Sequence, residues 1–154
     1  MMPPQGYQAY SKATEQVTDN KEKILILLLE GAMRFTRFAR MGLEKRSPKL
    51  RGENISKVIA ILTELDCALD KRVDENLTEQ LSSLYQYMML RLSQANLENS
   101  KEPLDEVEQI LIKIKEGFEG INENSKKKDK KVKKKDKKNQ PANKDKMPSV
   151  HLAA

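Results

Sequence analysis

The chain is poor in the residues that catalysis uses. Its 154 residues include one histidine, one cysteine and no tryptophan. His151 stands in a polar, lysine-rich tail that cannot hold it against a partner group, so the commonest acid–base side chain is effectively missing. Cys67 has no second thiol to pair with, which fits a reducing cytoplasm. Glu-x-x-His, Cys-x-x-Cys and Gly-rich phosphate-loop patterns are absent, so no metal or cofactor is expected. Carboxylates that could pair, such as Asp66 with Asp70 or Glu106 with Glu116, read better as solvated surface. These absences argue against an enzyme.

Two further shortages bear on location and fold. The opening "MMPPQGYQAYSK" lacks the apolar centre of a secretion signal. The longest aliphatic run, Ile24 to Leu29, has six residues, against the roughly 20 that cross a bilayer. A soluble cytoplasmic protein without stable membrane insertion is expected. Nowhere do β-branched residues alternate with polar ones as a strand requires.

What the chain does have is charge and helix formers. Net charge is +6, but residues 126–146 hold twelve lysines against three aspartates, a net of +9. The remainder therefore carries −3 and is mildly acidic. Richness in Leu, Lys and Glu with few aromatics is the bias of a helical bundle. Four amphipathic segments succeed one another. The first is expected from Asp19, as cap with Glu22, to about Arg46, before Pro48, with a stripe at 25, 28, 32, 35, 39 and 43. The second runs from about Asn54 to Asp70 with Ile55, Val58, Ile59, Leu62, Leu65 and Leu69. The third runs from about Glu75 to Leu97 with Leu77, Leu81, Leu84, Met88, Leu92 and Ala95. The fourth begins at "EPLDE", with Pro103 in a first turn, and carries Leu104, Val107, Ile110, Leu111, Ile114, Phe118 and Ile121. Short links make consecutive helices antiparallel, so the expected fold is an all-α, up-down four-helix bundle over 19–121. It is flanked by a short N-terminal arm or helix, 1–18, and a disordered basic tail, 122–154.

These helices carry more apolar surface than one stripe each. Ile26, Leu27, Met33 and Met41 point well away from the stripe of the first helix. Ile61 is surplus on the second helix and Ile112 on the fourth. On the third, Tyr87, Leu90 and Leu97 form a second line. Three explanations stand open: burial by neighbouring helices and the arm, a homo-oligomer seam, or a groove for another protein's amphipathic helix. The candidate partner-binding residues are Ile26, Leu27, Met33, Ile61, Tyr87, Leu90, Leu97 and Ile112, with Tyr7 and Tyr10 of the arm. Lysines of the tail attract phosphate without sequence preference, but the tail has no aromatics for stacking, so nucleic acid is not an expected partner.

Two stretches carry a resemblance. "LYQYMMLRLSQAN", residues 84–96, closely resembles the Leu-Tyr-x-Tyr-Met…Leu…Ala-Asn signature of the FliS family of flagellin export chaperones. "LLLEGAMRFTRFA", residues 27–39, is similar to that family's first-helix pattern. "GYQAYSK" and "PLDEVEQILIKIKEGF" resemble its N-terminal arm and last helix. Leu29 and Glu30 depart from the family's Tyr-Asp, no Gly-Gly precedes the third helix, and Phe118 replaces a common Trp. The lysine tail has no counterpart in the pattern. The resemblance implies a cytoplasmic chaperone that binds the C-terminal helical segment of flagellin. Such a protein prevents premature polymerisation and assists delivery to the flagellar type III secretion gate, itself a further partner. Two amphipathic tyrosines in an otherwise weakly structured segment lead to the expectation that the arm lies in the client groove when that groove is empty and yields when the client arrives. The competing reading is a homodimeric helical adaptor that uses the same apolar surface for self-association.

Overall fold

A computed structural model describes residues 5–138, with side chains at residue 12 and from residue 20 onward. Four helices occur in order: α1 Gln5–Glu44, α2 Pro48–Cys67, α3 Glu75–Glu98 and α4 Glu102–Lys138. The chain divides after Phe118 into two compact units. The first holds an antiparallel four-helix bundle. The second, described to residue 138, is the C-terminal stretch of α4.

The helix boundaries are set by local chemistry. Ser47 caps α2, its hydroxyl accepting from the amide of Leu50 at 3.2 Å, and Pro48 occupies the first helical position. That position suits proline because its amide would have no helical partner. Asp74 caps α3 in the same way, accepting from Leu77 N at 3.0 Å. Asn99 ends α3 in a left-handed conformation, with φ 51°. Glu102 and Asp105 lie in the first turn of α4 as its dipole favours.

Three expected boundaries move. Helix α1 begins at Gln5 and not at a cap on Asp19, so the stretch expected as a separate arm or short helix is the first part of α1. Extending an existing helix costs far less than nucleating one, and no proline interrupts residues 5–44. Helix α2 starts at Pro48 and not at Asn54, because "SP" is a start signal as well as a stop signal for the preceding helix. Helix α4 does not stop near residue 121 but continues to Lys138. Lysine is a good helix former, no glycine or proline falls between 121 and 138, and Lys135, Lys137 and Lys138 complement the dipole at the C-terminal end. Disorder expected for 139–154 concerns residues outside those described.

The core is built from one line on each helix. Helix α1 contributes Leu29, Ala32, Thr36 and Ala39, all fully buried. From α2 come Ile55, Val58, Leu62 and Leu65, from α3 Tyr85, Met88, Leu92 and Ala95, and from α4 Leu104, Val107, Leu111 and Ile114. The Thr36 hydroxyl is satisfied within its own helix, donating to the carbonyl of Ala32 at 2.8 Å. The α1 and α3 stripes are thus shifted from those expected. Leu25, Leu28, Phe35 and Leu43 are only half-buried, and Leu77 and Leu84 are exposed, whereas Tyr85 is buried at 1% exposure. In α3 the buried residues 78, 85, 88, 92 and 95, with half-buried Leu81, step by alternating three and four residues, which keeps one face turned inward at 3.6 residues per turn.

Helices α1 and α2 approach most closely. A Cβ on Gly42 would lie 2.5 Å from the backbone nitrogen of Arg51, so glycine is what allows the approach. A Cβ on Gly31 would lie 3.7 Å from Ile61 Cδ1. Between these points the Lys57 ammonium of α2 sits 5.2 Å from the Phe35 ring centroid. The α2–α3 pair is tied by Arg51, which donates to Asn96 Oδ1 at 3.0 Å and also to Asn99.

Candidate functional site

Helix α4 is held to its neighbours by charge as well as by its core line. Glu108, 8% exposed, accepts from Arg37 Nε at 2.5 Å and from Arg40 Nη2. Arg40 also pairs with Asp105 at 2.8 Å, while its Nε is buried without a hydrogen-bond partner. Two turns further along, Lys115 pairs with Glu30 at 3.0 Å. Burial by itself would raise the Glu108 carboxyl, but the hydrogen bonds and charges of Arg40 and Arg37 outweigh it and hold the group below the usual carboxylate range. On the other side of α4, Glu106 accepts from Tyr87 Oη and from Arg91 Nε, the latter at 2.7 Å. The bond from Tyr87, then Arg91, lowers the Glu106 carboxyl, and the same carboxylate raises the Tyr87 phenol.

These ties locate the surplus apolar residues. Met33 falls between Glu30 and Arg37 on α1, and Ile112 falls between Glu108 and Lys115 on α4. Both therefore lie between the Arg37–Glu108 and Glu30–Lys115 ion pairs of these helices, and both are half-buried. Ile26, one turn before Glu30, is also half-buried. Ile61 packs against the core beside Gly31. Leu27, by contrast, is 64% exposed, with Ile24, Phe38 and Met41 also exposed on α1. On α3, Leu90 and Leu97 are 56% and 84% exposed, seven residues apart and so on one side of the helix. Tyr87 is exposed at the edge facing Glu106. The side chains of Tyr7 and Tyr10 lie outside those described.

The eight candidates with described side chains thus differ in exposure. Ile26, Met33, Ile61 and Ile112 are half-buried, Met33 and Ile61 against the core, while Leu27, Tyr87, Leu90 and Leu97 are exposed. Sequence reasoning assigned Leu77 and Leu84 to the core, yet both add to the exposed apolar surface of α3. Leu84 borders an open depression lined otherwise by Asn76, Glu79, Gln80 and Ser83. The signal that could have released Leu77 and Leu84 from the core was the three-four spacing of Leu81, Tyr85 and Met88. Phe38 lies opposite Leu29 and Thr36 at 100° per residue and could have been found the same way.

Chemically, the outward leucines of α1 and α3 offer nonpolar anchors, and the Tyr87–Glu106–Arg91 cluster offers a polar rim. An amphipathic segment recognises such a combination through apolar side chains repeating every turn or two. Among the described residues no helix is long and apolar enough to cross a membrane, and Cys67 is an exposed free thiol at the end of α2.

Comparison with known proteins supplies the family. Residues 3–125 match the family model described as flagellar protein FliS. The flagellar secretion chaperone FliSB of Pseudomonas aeruginosa is 34% identical over 116 residues, covering 75% of this chain and 92% of that one. The flagellar secretion chaperone FliS of Salmonella typhimurium is 32% identical over 121 residues, covering 76% and 90%. That of Bacillus subtilis is 26% identical over 121 residues, covering 79% and 89%. The match reaches across all four helices of the bundle and stops short of the lysine run, and on this basis the chain belongs to the FliS family of flagellar proteins.

Proposed function

We propose that the protein is a cytoplasmic export chaperone that binds the C-terminal helical segment of flagellin. Holding that segment prevents premature polymerisation and keeps the subunit deliverable to the flagellar type III secretion gate. The observation that carries this reading is the exposed apolar line of α3, Leu90 and Leu97 with Tyr87 at its edge, in a chain whose relatives are named flagellar secretion chaperones. Covering an assembly segment needs binding alone and no bond chemistry. Leu27 on α1 adds a further anchor. Tyr7 and Tyr10, on the N-terminal part of α1, are included among the contacts. Ile26, Met33, Ile61 and Ile112, each half-buried, complete the proposed partner-binding set.

The test is a calorimetric titration with the last ~40 residues of the organism's own flagellin, a length of several helical turns. Saturable binding by the wild type is expected. The double variant Leu90→Asp/Leu97→Asp should bind about tenfold more weakly or worse, since each leucine buried in a complex contributes on the order of 1.5–3 kcal/mol. Its far-ultraviolet circular dichroism should stay helical, because neither side chain is part of the core. Unchanged affinity in the variant, or no binding by the wild type, sinks the proposal. Sedimentation of the free protein covers the alternative, a homodimeric adaptor. A dimer that the same two substitutions dissociate would replace the chaperone reading of this surface.

A further inference from the structure

The match to the family ends at residue 125, just before the most strongly charged part of the molecule. Residues 126–138 contain ten lysines and two aspartates, all exposed and all within α4. Their order is not uniform around the helix. At 100° per residue the ten lysines fall within an arc of roughly 220°. Asp129, Val132 and Asp136, spaced by three and four, occupy the strip that remains. The helix therefore has a cationic side and a narrow back free of lysine.

That arrangement limits what the lysine side can bind. An interfacial helix that inserts among acyl chains needs an apolar face, and Val132 is the single apolar residue in the stretch. Single-stranded nucleic acid is gripped by stacking on aromatic rings, and there are none. Base edges in a duplex are read by mixed sets of Arg, Lys, Asn, Gln and other polar side chains, and 126–138 offers lysine alone with two aspartates and a valine, which gives no sequence-reading set. What is left is Coulombic attraction to fixed negative charge. A plane of anionic headgroups meets a helix along one whole side, so it can engage many lysines of the arc at once while Asp129 and Asp136 point away. Lysine clusters of this size on a helix suffice for reversible binding to an anionic leaflet.

We propose that the lysine arc of α4, residues 126–138, docks on an anionic lipid surface, with the Asp129–Val132–Asp136 strip turned away from it. The inference rests on the export reading for its purpose: a chaperone whose cargo must cross a membrane is concentrated beside that membrane. Attachment is peripheral and salt-sensitive, so the protein exchanges between surface and solution.

The experiment is co-sedimentation of the full chain with vesicles of phosphatidylcholine alone or mixed with phosphatidylglycerol. At ~0.15 M salt, binding to the mixed vesicles should exceed binding to neutral ones by about tenfold or more, and raised salt should abolish the difference. The variant Lys127→Gln/Lys130→Gln/Lys134→Gln/Lys137→Gln, whose substitutions keep helix propensity, should lose on the order of a hundredfold to a thousandfold in vesicle affinity. Asp129→Asn/Asp136→Asn, which raises the net charge off the arc, should change it by less than about threefold. Equal binding to both vesicle types overturns the proposal, as does a gain in the aspartate variant as large as the loss in the lysine variant. Duplex DNA at matched phosphate that strips the protein from vesicles would assign the arc to nucleic acid and overturn it too. The flagellin titration is repeated on the lysine variant. Lost vesicle binding with intact segment binding isolates the lipid step, and failure of the segment to bind the wild type bears on the chaperone reading alone.

Discussion

At the scale of single residues, Glu108 is the most exacting position. It is buried, charged, and matched by two guanidinium groups from the facing helix. Because its folded pKa lies below the ordinary value, the stability it contributes is fully present above about pH 4.3 and is lost as the pH falls through the folded value. Glu108→Gln should therefore cost about 2 kcal/mol at neutral pH, the range of a hydrogen bond to a charged group. The gap to wild type should narrow on acidification. Urea denaturation at neutral and at acid pH checks this, and a gap that stays constant would refute it. Tyr85 shows the opposite case. Burial, then the charge of Asp66, pushes its phenol up to about 12, so it stays neutral at any physiological pH.

Helix ends and helix contacts decide what happens at the scale of elements. Most of α2 and the start of α4 were legible, because hydrophobic spacing and proline position agree there. The stripe of α3 was legible only in part. Leu77 and Leu84 are more hydrophobic than Thr78 and comparable with Tyr85, so composition favoured the wrong pair, while the three-four rhythm favoured the right one. On α1 the apolar run from Ile24 to Leu29 hides the core line, because nearly every register through it looks plausible. Small residues resolve it: Ala32, Ala39 and Gly42 mark where α1 comes near its partners. Gly42→Ala tests that reading. Its new methyl would meet the Arg51 backbone, which cannot swing aside as a side chain can. We expect a loss of about 1–3 kcal/mol, as overpacking typically costs. Thermal melting would expose the error if the alanine variant proved as stable as wild type, since alanine otherwise favours helix over glycine.

At the scale of the whole molecule, the buried core ends with Ile114 on α4, and the lysine run comes later in the chain. A chain cut after residue 125 should keep the wild-type melting temperature within about 2 °C, a shift well below that of 1 kcal/mol in a domain of this size. A larger drop would mean that the basic stretch contributes to folding. The fold class and the segregation of charge could be read from the sequence because both are sums over many residues. The candidate site could not, because exposure depends on which helix lies beside which. Met33 and Ile112 looked like Leu90 and Leu97, yet the first two are half-buried and the last two exposed.

The bare leucines of α3 have a consequence for the cell. When nothing sits on them they stay wetted by solvent at a cost in free energy, and any compound or peptide of the right shape competes for them. A surface so made is best matched when its supply keeps step with whatever is to cover it.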